Sequence, residues 1–218
     1  SDVYKRQELR GASDFATVPQ GQGSILEAYA GRGQEQGQPF LKLSEGSGLR
    51  GLTVDYPEQV TSSLPTVTKY PYCIQVTGKD AYIVNVGLRA AYNGVDLFTY
   101  QCNNHYVDYL AGHVFMNAVR IGGGSEGGRV CNLQFNSIVY ACGSETKFGS
   151  WPNSLAVDQS KAYRQNQTEL RFIIVGDCRN QILYNDFHYG GFEGIVFQAD
   201  EGKAASGRSL GLGVDGSW

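Results

Sequence analysis

The sequence has a single methionine, few charged side chains and no long hydrophobic run. Of its 218 residues, 18% are charged and 41% are hydrophobic. The longest purely aliphatic or aromatic stretch is Phe172-Ile173-Ile174-Val175, far below the roughly 20 apolar residues of a membrane-spanning helix. The formal net charge of −3 gives no attraction for polyanions. We therefore expect no membrane span and no nucleic-acid partner.

The cysteines lack the spacing of a metal site. Five of them, at positions 73, 102, 131, 142 and 178, include no CxxC pair, and no histidine lies at metal-finger spacing from any of them. Zinc and iron–sulfur centres usually draw on closely spaced ligand pairs. An odd number also leaves at least one thiol without an intrachain partner. We expect no metal, no cofactor and no disulfide framework, and interpret the cysteines as small buried hydrophobic residues.

Glycine and tyrosine are abundant, with 29 and 14 residues respectively. Glycine supplies tight turns, and aromatic residues favour strands over helices. No segment has the pattern of an amphipathic helix. The composition therefore predicts an all-β protein.

The two ends of the chain differ from the rest. Residues 1–7 resemble the translation of a sequencing adapter, so we expect the native domain to occupy residues 8–218. The last residues, 211–218, stop where a further strand begins to form. We therefore expect a fragment, truncated at both ends, of a longer chain with further domains.

Two series of short strand-like runs share a spacing of about 24 residues. The first series starts near positions 95, 119, 171 and 195, and the second ends near positions 85, 109, 132 and 185. Each series has one doubled interval, which an inserted loop near 143–168 explains. A repeat of this length is typical of a single-stranded parallel β-helix, in which each coil buries its apolar side chains against its neighbours.

The repeat also predicts which residues face inward and which occupy turns. Val95 and Leu97 alternate with outward residues, as do their counterparts Val119 with Ile121 and Ile195 with Phe197. Asn85, Asn132 and Asn185 occupy equivalent turns, where asparagine tolerates a left-handed backbone and its amide can bond the amide one coil away. Tyr109 interrupts this series.

Three segments resemble a known superfamily: Leu49–Gln59, Tyr92–Leu97 and Ile182–Gly194. They look like the pectate-lyase-like superfamily of bacterial right-handed parallel β-helix proteins, nearest to secreted polysaccharide-acting members akin to glycoside hydrolase family 55. The resemblance covers roughly residues 24–215. It implies a right-handed coil, an extracellular or cell-surface location and a polysaccharide or oligosaccharide partner. It also implies cleavage by hydrolysis, with β-elimination as the alternative reaction.

Departures from the superfamily limit the assignment. The polygalacturonase-like branch carries Asn-Thr-Asp, Asp-Asp, Gly-His-Gly and Arg-Ile-Lys motifs on successive coils. This chain has Asn93-Gly94-Val95-Asp96, Gly112-His113-Val114 and Arg120-Ile121-Gly122, and no Asp-Asp pair. The carboxylate cluster of calcium-dependent lyases is also not evident. We do not place the chain in either branch.

Glycoside hydrolysis needs two carboxyl groups, which neighbouring coils can supply. The candidate catalytic residues are Asp96, Asp177 and Asp200. Because coils stack about 4.8 Å apart, the outward side chains of Asp96, Arg120 and Arg171 are predicted to form a line on one face. Such a line suits an anionic or hydroxyl-rich sugar. The structural alternatives are an ion-pair ladder on a solvated sheet, and turn caps for Asp177 and Asp200.

Further candidates lie in the turns that would wall a groove. The predicted substrate-binding residues are Arg120, Arg171, Tyr100, Gln198 and Glu201. The leading interpretation is a secreted polysaccharide-degrading glycoside hydrolase. The alternatives are a noncatalytic glycan-binding or adhesin module and a segment of a phage tailspike-like fibre.

Overall fold

The computed structural model describes residues 2–3, 6–12, 23–59, 67–136 and 168–216. Within these ranges helix is limited to residues 168–169. In chain order the strands are β1 (Asp2–Val3), β2 (Glu8–Arg10), β3 (Ser24–Glu27), β4 (Leu41–Leu43), β5 (Gly48–Asp55), β6 (Tyr72–Val76), β7 (Tyr82–Leu97), β8 (Tyr106–Ile121), β9 (Ser125–Glu126), β10 (Arg129–Cys131), β11 (Gln134–Asn136), β12 (Arg171–Val175), β13 (Cys178–Arg179), β14 (Gln181–Tyr184), β15 (Phe187–Tyr189), β16 (Glu193–Phe197), β17 (Gly207–Leu210) and β18 (Gly213–Asp215). The prediction of an all-β protein is confirmed. Apart from residue 168, the predicted insertion at 143–168 lies outside the described residues.

The strands pair in parallel. Sixteen of them form one sheet, and β9 with β13 forms a second, two-stranded sheet. The long strands β7 and β8 pair with each other over most of their lengths, from Tyr82 opposite Tyr106 to Leu97 opposite Ile121. Partners of β7 lie 24 residues further along the chain at both of these ends. The parallel sheet and this offset are compatible with a β-helix-like solenoid.

The register of one row corrects a predicted position. Val95 pairs with Val119, Val119 with Ile173, and Ile173 with Ile195. Ile173, not Arg171, is therefore equivalent to Val119, and its side chain is fully buried. The run Phe172–Val175 is apolar at every position, so alternation of polar and apolar residues could not set its register.

Inward side chains of successive strands form one continuous core. Val95, Leu97, Val119 and Ile121 are fully buried, as predicted. Phe197 lies in register with the buried Val175, on the predicted inward side of the same row, but it is 63% exposed. Its strand β16 pairs with β12 alone among the described strands, so no further described strand covers the ring. A side chain on an edge strand is buried only where another element packs over it.

The predicted turn column is present. One residue at each equivalent turn has a positive φ, and the column consists of Gly51, Asn85, Tyr109, Asn132, Asn185 and Gly211. The amide of Asn185 donates to Asn132 Oδ1 at 2.7 Å, and that of Asn132 donates to Asp108 Oδ1 at 2.7 Å. The predicted amide ladder is therefore confirmed between Asn132 and Asn185. Tyr109 interrupts it, as expected, at φ 57°.

Tyr109→Asn is expected to raise the free energy of unfolding by about 1 kcal/mol, because a left-handed backbone is strained for most L residues and tolerated by asparagine. Urea denaturation measures the change. The reciprocal control, Asn85→Tyr, puts the same ring at the equivalent turn and is expected to lower stability by about the same amount. A loss of stability in Tyr109→Asn would show that packing of the phenol outweighs backbone strain.

The cysteines in the described residues are free thiols: Cys73, Cys102, Cys131 and Cys178. Three of them are buried, and Cys131 is partly buried. Burial raises the pKa of the Cys73 thiol to about 12. The interpretation of these four residues as small side chains that fill space agrees with this environment, while Cys142 lies outside the described residues.

Candidate functional site

A groove on the outer surface collects several of the predicted residues. It has a volume of about 520 Å³. Its charged lining residues are Arg120, Asp177, Asp200, Glu201 and Lys203. We call this site the carboxylate groove. The chain thus brings together four predicted site residues that lie up to 81 positions apart, from 120 to 201.

Arg120 is held in the groove by an aromatic ring. Its guanidinium carbon lies 4.3 Å from the centroid of the Phe98 ring, a cation–π distance. The ring in turn lies close against two glycines, since a Cβ on Gly122 or Gly176 would come within 2.5 or 2.4 Å of its atoms. Only residues without a side chain leave room for Phe98 there. The glycines therefore position the ring, and the ring supports the arginine.

A two-residue turn also lines the groove. Asp200 and Lys203 exchange two backbone hydrogen bonds, of 2.8 and 2.9 Å. Glu201 and Gly202 between them have φ values of 49° and 79°. Positive φ at both central positions is the signature of a type I′ turn, in which Asn or Gly is usual and Glu is not. The turn carries two carboxylates and one ammonium group beside the groove.

The charges of the groove are only partly paired. Lys203 Nζ lies 3.7 Å from Asp177 Oδ2, and the Asp177 side chain is 12% exposed. No ion pair of Asp200, Glu201 or Arg120 occurs among the described residues. With three carboxylates and two cationic groups, the groove has a net charge of −1. Such an arrangement can bind hydroxyl groups and can donate or accept protons.

Asp96 lies beside the groove rather than in it. Its Oδ1 accepts the backbone N–H groups of Phe98 and Thr99 at 2.9 and 3.0 Å. Its Oδ2 accepts from Gln75 Nε2 at 2.9 Å and from Thr99 Oγ1 at 2.6 Å. The residue is 1% exposed. Both oxygens are therefore engaged in holding the turn that follows β7, an arrangement typical of a capping aspartate.

The other predicted residues lie outside the groove. Arg171 pairs in register with Asn117, whereas the residue opposite Arg120 is Ile174. The predicted line of Asp96, Arg120 and Arg171 is therefore wrong. The Arg171 guanidinium forms an ion pair with Glu193 instead. Tyr100 and Gln198 are exposed, but neither lines the groove.

Sequence reasoning missed Lys203, and also a set of amides next to Asp96. Asn93 and Asn117 pair in register, and Asn117 Nδ2 donates to Asn93 Oδ1 at 2.8 Å. Their separation of 24 positions equals the repeat, so the period itself could have found them. Lys203 had no such signal, because its distance to Asp177 depends on the conformation of the 200–203 turn.

In the described ranges, no group of three or more His, Cys, Asp or Glu side chains is arranged to hold a metal ion. No helix in the same ranges is long and apolar enough to cross a membrane.

Comparison of the chain with protein-family models, with curated proteins and with solved structures found no match. The resemblance to the pectate-lyase-like superfamily therefore depends on the segments quoted above. The fold supports the all-β, parallel part of that resemblance.

Proposed function

We propose that the protein is an extracellular, carbohydrate-active right-handed parallel β-helix that hydrolyses glycosidic bonds of a polysaccharide. The observation that carries the proposal is the carboxylate groove, where Asp177, Asp200 and Glu201 lie with Arg120 in one cavity of about 520 Å³. Two carboxyl groups on one cleft are what glycoside hydrolysis requires. The parallel register with an offset of 24 residues supports the solenoid.

In the proposed reaction, Asp200 donates a proton to the glycosidic oxygen as the bond from that oxygen to the anomeric carbon breaks. Asp177 takes a proton from water, whose oxygen forms the new bond to the anomeric carbon. Arg120 donates hydrogen bonds to sugar hydroxyls through its planar fork. Glu201, at the tip of the turn, accepts hydrogen bonds from the sugar.

Noncatalytic glycan binding is the second candidate. The observation that favours it is the ion pair of Asp177 with Lys203, which engages one of the groove carboxylates. A groove of this kind could hold a sugar through Arg120 and Glu201 without cleaving it. Both candidate functions predict glycan binding, but only the hydrolase predicts turnover.

A panel of polysaccharides tests both candidates, with release of reducing ends and binding measured on the same protein. Asp177→Asn and Asp200→Asn are each expected to lower turnover by about 10²- to 10⁴-fold, because each removes one proton-transfer group. Asp215→Asn changes an exposed carboxylate outside the groove and serves as the control.

Full turnover in both groove variants would overturn the catalytic assignment. Binding without release of reducing ends by the unaltered protein would establish the noncatalytic candidate. If the unaltered protein neither binds nor cleaves any polysaccharide of the panel, the carbohydrate proposal as a whole is overturned.

A further inference from the structure

We propose that a second pocket, next to the carboxylate groove, binds a single uncharged, hydroxyl-rich sugar ring. This inference rests on the proposed function, since it names a further sugar subsite of the same surface. The pocket has a volume of about 270 Å³. Six polar side chains form its base: Tyr72, Gln75, Asn93, Asp96, Asn117 and Arg120. We call it the amide pocket.

The base of the amide pocket is an array of two rows on three successive coils. One row runs from Tyr72 to Asn93 to Asn117, and the other from Gln75 to Asp96 to Arg120. Parallel neighbours lie about 4.8 Å apart, so the six groups form a compact polar patch. The segment 35–39 forms a wall over the patch, through Glu35, Gln36, Gly37 and Pro39.

Polar groups of this patch are buried to an unusual degree. Asn93 is 3% exposed and Asp96 is 1% exposed. Buried polar groups are costly unless they are hydrogen-bonded, and along each row they are. Asn117 donates to Asn93 at 2.8 Å, and Gln75 donates to Asp96 at 2.9 Å. The array is therefore a rigid surface, not a set of solvated side chains.

Hydrogen-bonding capacity remains at the edges of the array. Arg120 uses one Nη1 donor on the Tyr72 hydroxyl, at 3.2 Å. In the described part of the chain, no residue donates to the side-chain oxygen of Gln75, and Arg120 keeps further N–H donors. The Asn117 side chain is hydrogen-bonded to Tyr72 as well as to Asn93. Acceptors and donors thus alternate around one cavity. A sugar hydroxyl both donates and accepts, so a ring with several hydroxyls can satisfy both kinds of group.

Charge in the amide pocket favours an uncharged ligand. Asp96 faces Arg120 in the adjacent coil, and its oxygens already accept four hydrogen bonds. Glu35 on the wall is paired with Lys69 at 2.8 Å. The charges of Asp96 and Arg120, and those of Glu35 and Lys69, sum to zero, so neither an anionic nor a cationic ligand meets an excess of opposite charge. The volume, slightly below that of usual ligand pockets at roughly 300 Å³ and above, fits one ring rather than a chain.

The amide pocket and the carboxylate groove adjoin, because Thr99 and Arg120 line both. A saccharide in the groove can therefore extend one ring into the pocket past Arg120. The pocket would then contribute affinity and select the neighbouring sugar, while the groove carries the reacting bond.

Binding of methyl glycosides of glucose, galactose and mannose, with glucuronate and glucosamine as charged comparators, tests the proposal by NMR titration of the whole chain. In the unaltered protein, an uncharged glycoside is expected to shift the side-chain amide signals of Asn117 and Gln75. Asn117→Leu and Gln75→Leu are each expected to weaken its binding about tenfold, the effect of one unpaired hydrogen-bonding group. Gln101→Leu makes the same change at an exposed amide outside the pocket and is expected to leave binding within twofold.

Asp200→Asn in the groove separates the two sites. If Asp200→Asn weakens monosaccharide binding while Asn117→Leu and Gln75→Leu leave it unchanged, the proposed pocket is overturned and the proposed function stands. Tighter binding of glucuronate or glucosamine than of every neutral glycoside would overturn the assigned ligand class. Cleavage of a polysaccharide without any monosaccharide binding would also overturn the pocket alone. The signal shifts in the unaltered protein decide the matter even if a leucine variant fails to fold.

Discussion

Gly112→Ala is expected to lower the free energy of unfolding by about 3 kcal/mol, through overpacking at a site that cannot relax. A Cβ at this position would lie 1.9 Å from the carbonyl oxygen of Leu88 and 2.9 Å from its carbonyl carbon. Gly112 pairs with Leu88 in the central part of the sheet, so relief of the clash requires β7 and β8 to separate. The φ of 132° adds backbone strain for any residue with a side chain.

A second glycine separates the clash from the strain. Gly33 has a φ of 77°, and no heavy atom lies within 4 Å of a Cβ built on it. Gly33→Ala therefore carries backbone strain alone, with an expected loss of about 1 kcal/mol. Urea denaturation of both variants with the same m value measures the difference. Equal losses in the two variants would mean that the close approach of Gly112 to Leu88 does not exist.

Asp186→Asn is expected to stabilise the protein at neutral pH more than at acidic pH. The residue is 1% exposed, its Oδ1 accepts the backbone N–H of Leu133 at 2.9 Å, and no described residue donates to its Oδ2. Burial raises the pKa of Asp186 to about 7, from an ordinary value of 3.8. The folded state thus keeps the proton over a range in which the unfolded chain has lost it.

The sign follows from proton binding. Between pH 4 and 7 the folded state binds more protons at Asp186 than the unfolded state, so this group lowers stability as pH rises. The asparagine variant has no such group. Its stability relative to the unaltered protein is expected to increase by about 4 kcal/mol between pH 4 and pH 8, at 1.36 kcal/mol for each pKa unit. Urea denaturation at the two pH values measures it.

His188→Phe provides a counterpart of opposite sign. The imidazole is fully buried and stacks on Phe172 at 4.8 Å, and burial lowers its pKa to about 3. Below pH 6.5 the unfolded chain binds a proton here that the folded state does not, so this group raises stability as pH rises. The difference in free energy of unfolding between the phenylalanine variant and the unaltered protein is therefore expected to be about 3 kcal/mol more favourable to the variant at pH 4 than at pH 8. If the stability difference between each variant and the unaltered protein does not change from pH 4 to pH 8, water reaches the two groups.

The all-β, parallel arrangement was largely predictable because its repeat is local information. Val95, Val119 and Ile195 mark one row by spacing alone, and the left-handed turns at Asn132 and Asn185 follow from the chemistry of asparagine. The prediction was wrong at Arg171, because an uninterrupted apolar run allows more than one register. Phe197 lies on the predicted side of its row, but its exposure could not be predicted, because burial depends on a neighbouring strand that no local pattern reports.

The candidate site was only partly predictable. Asp177, Asp200 and Glu201 lie just past the ends of predicted strands, and the structure brings them into one groove with Arg120. Asp96 belongs to the same row as Arg120, yet it caps a turn and lines the amide pocket instead. Which polar side chain faces a cavity and which is used for capping depends on turn conformation, and sequence spacing does not specify it.

The sequence by itself determined the class of structure: few charges, many glycines and a period of about 24 residues suffice for stacked parallel strands, since hydrophobic alternation and turn chemistry act over short distances. The tertiary structure alone decided the register of Phe172–Val175, the support of Arg120 by Phe98 on two glycines, and the approach of the 200–203 turn to Asp177. These features depend on contacts between residues far apart in the chain, and close packing, not local preference, selects among the arrangements that the sequence allows.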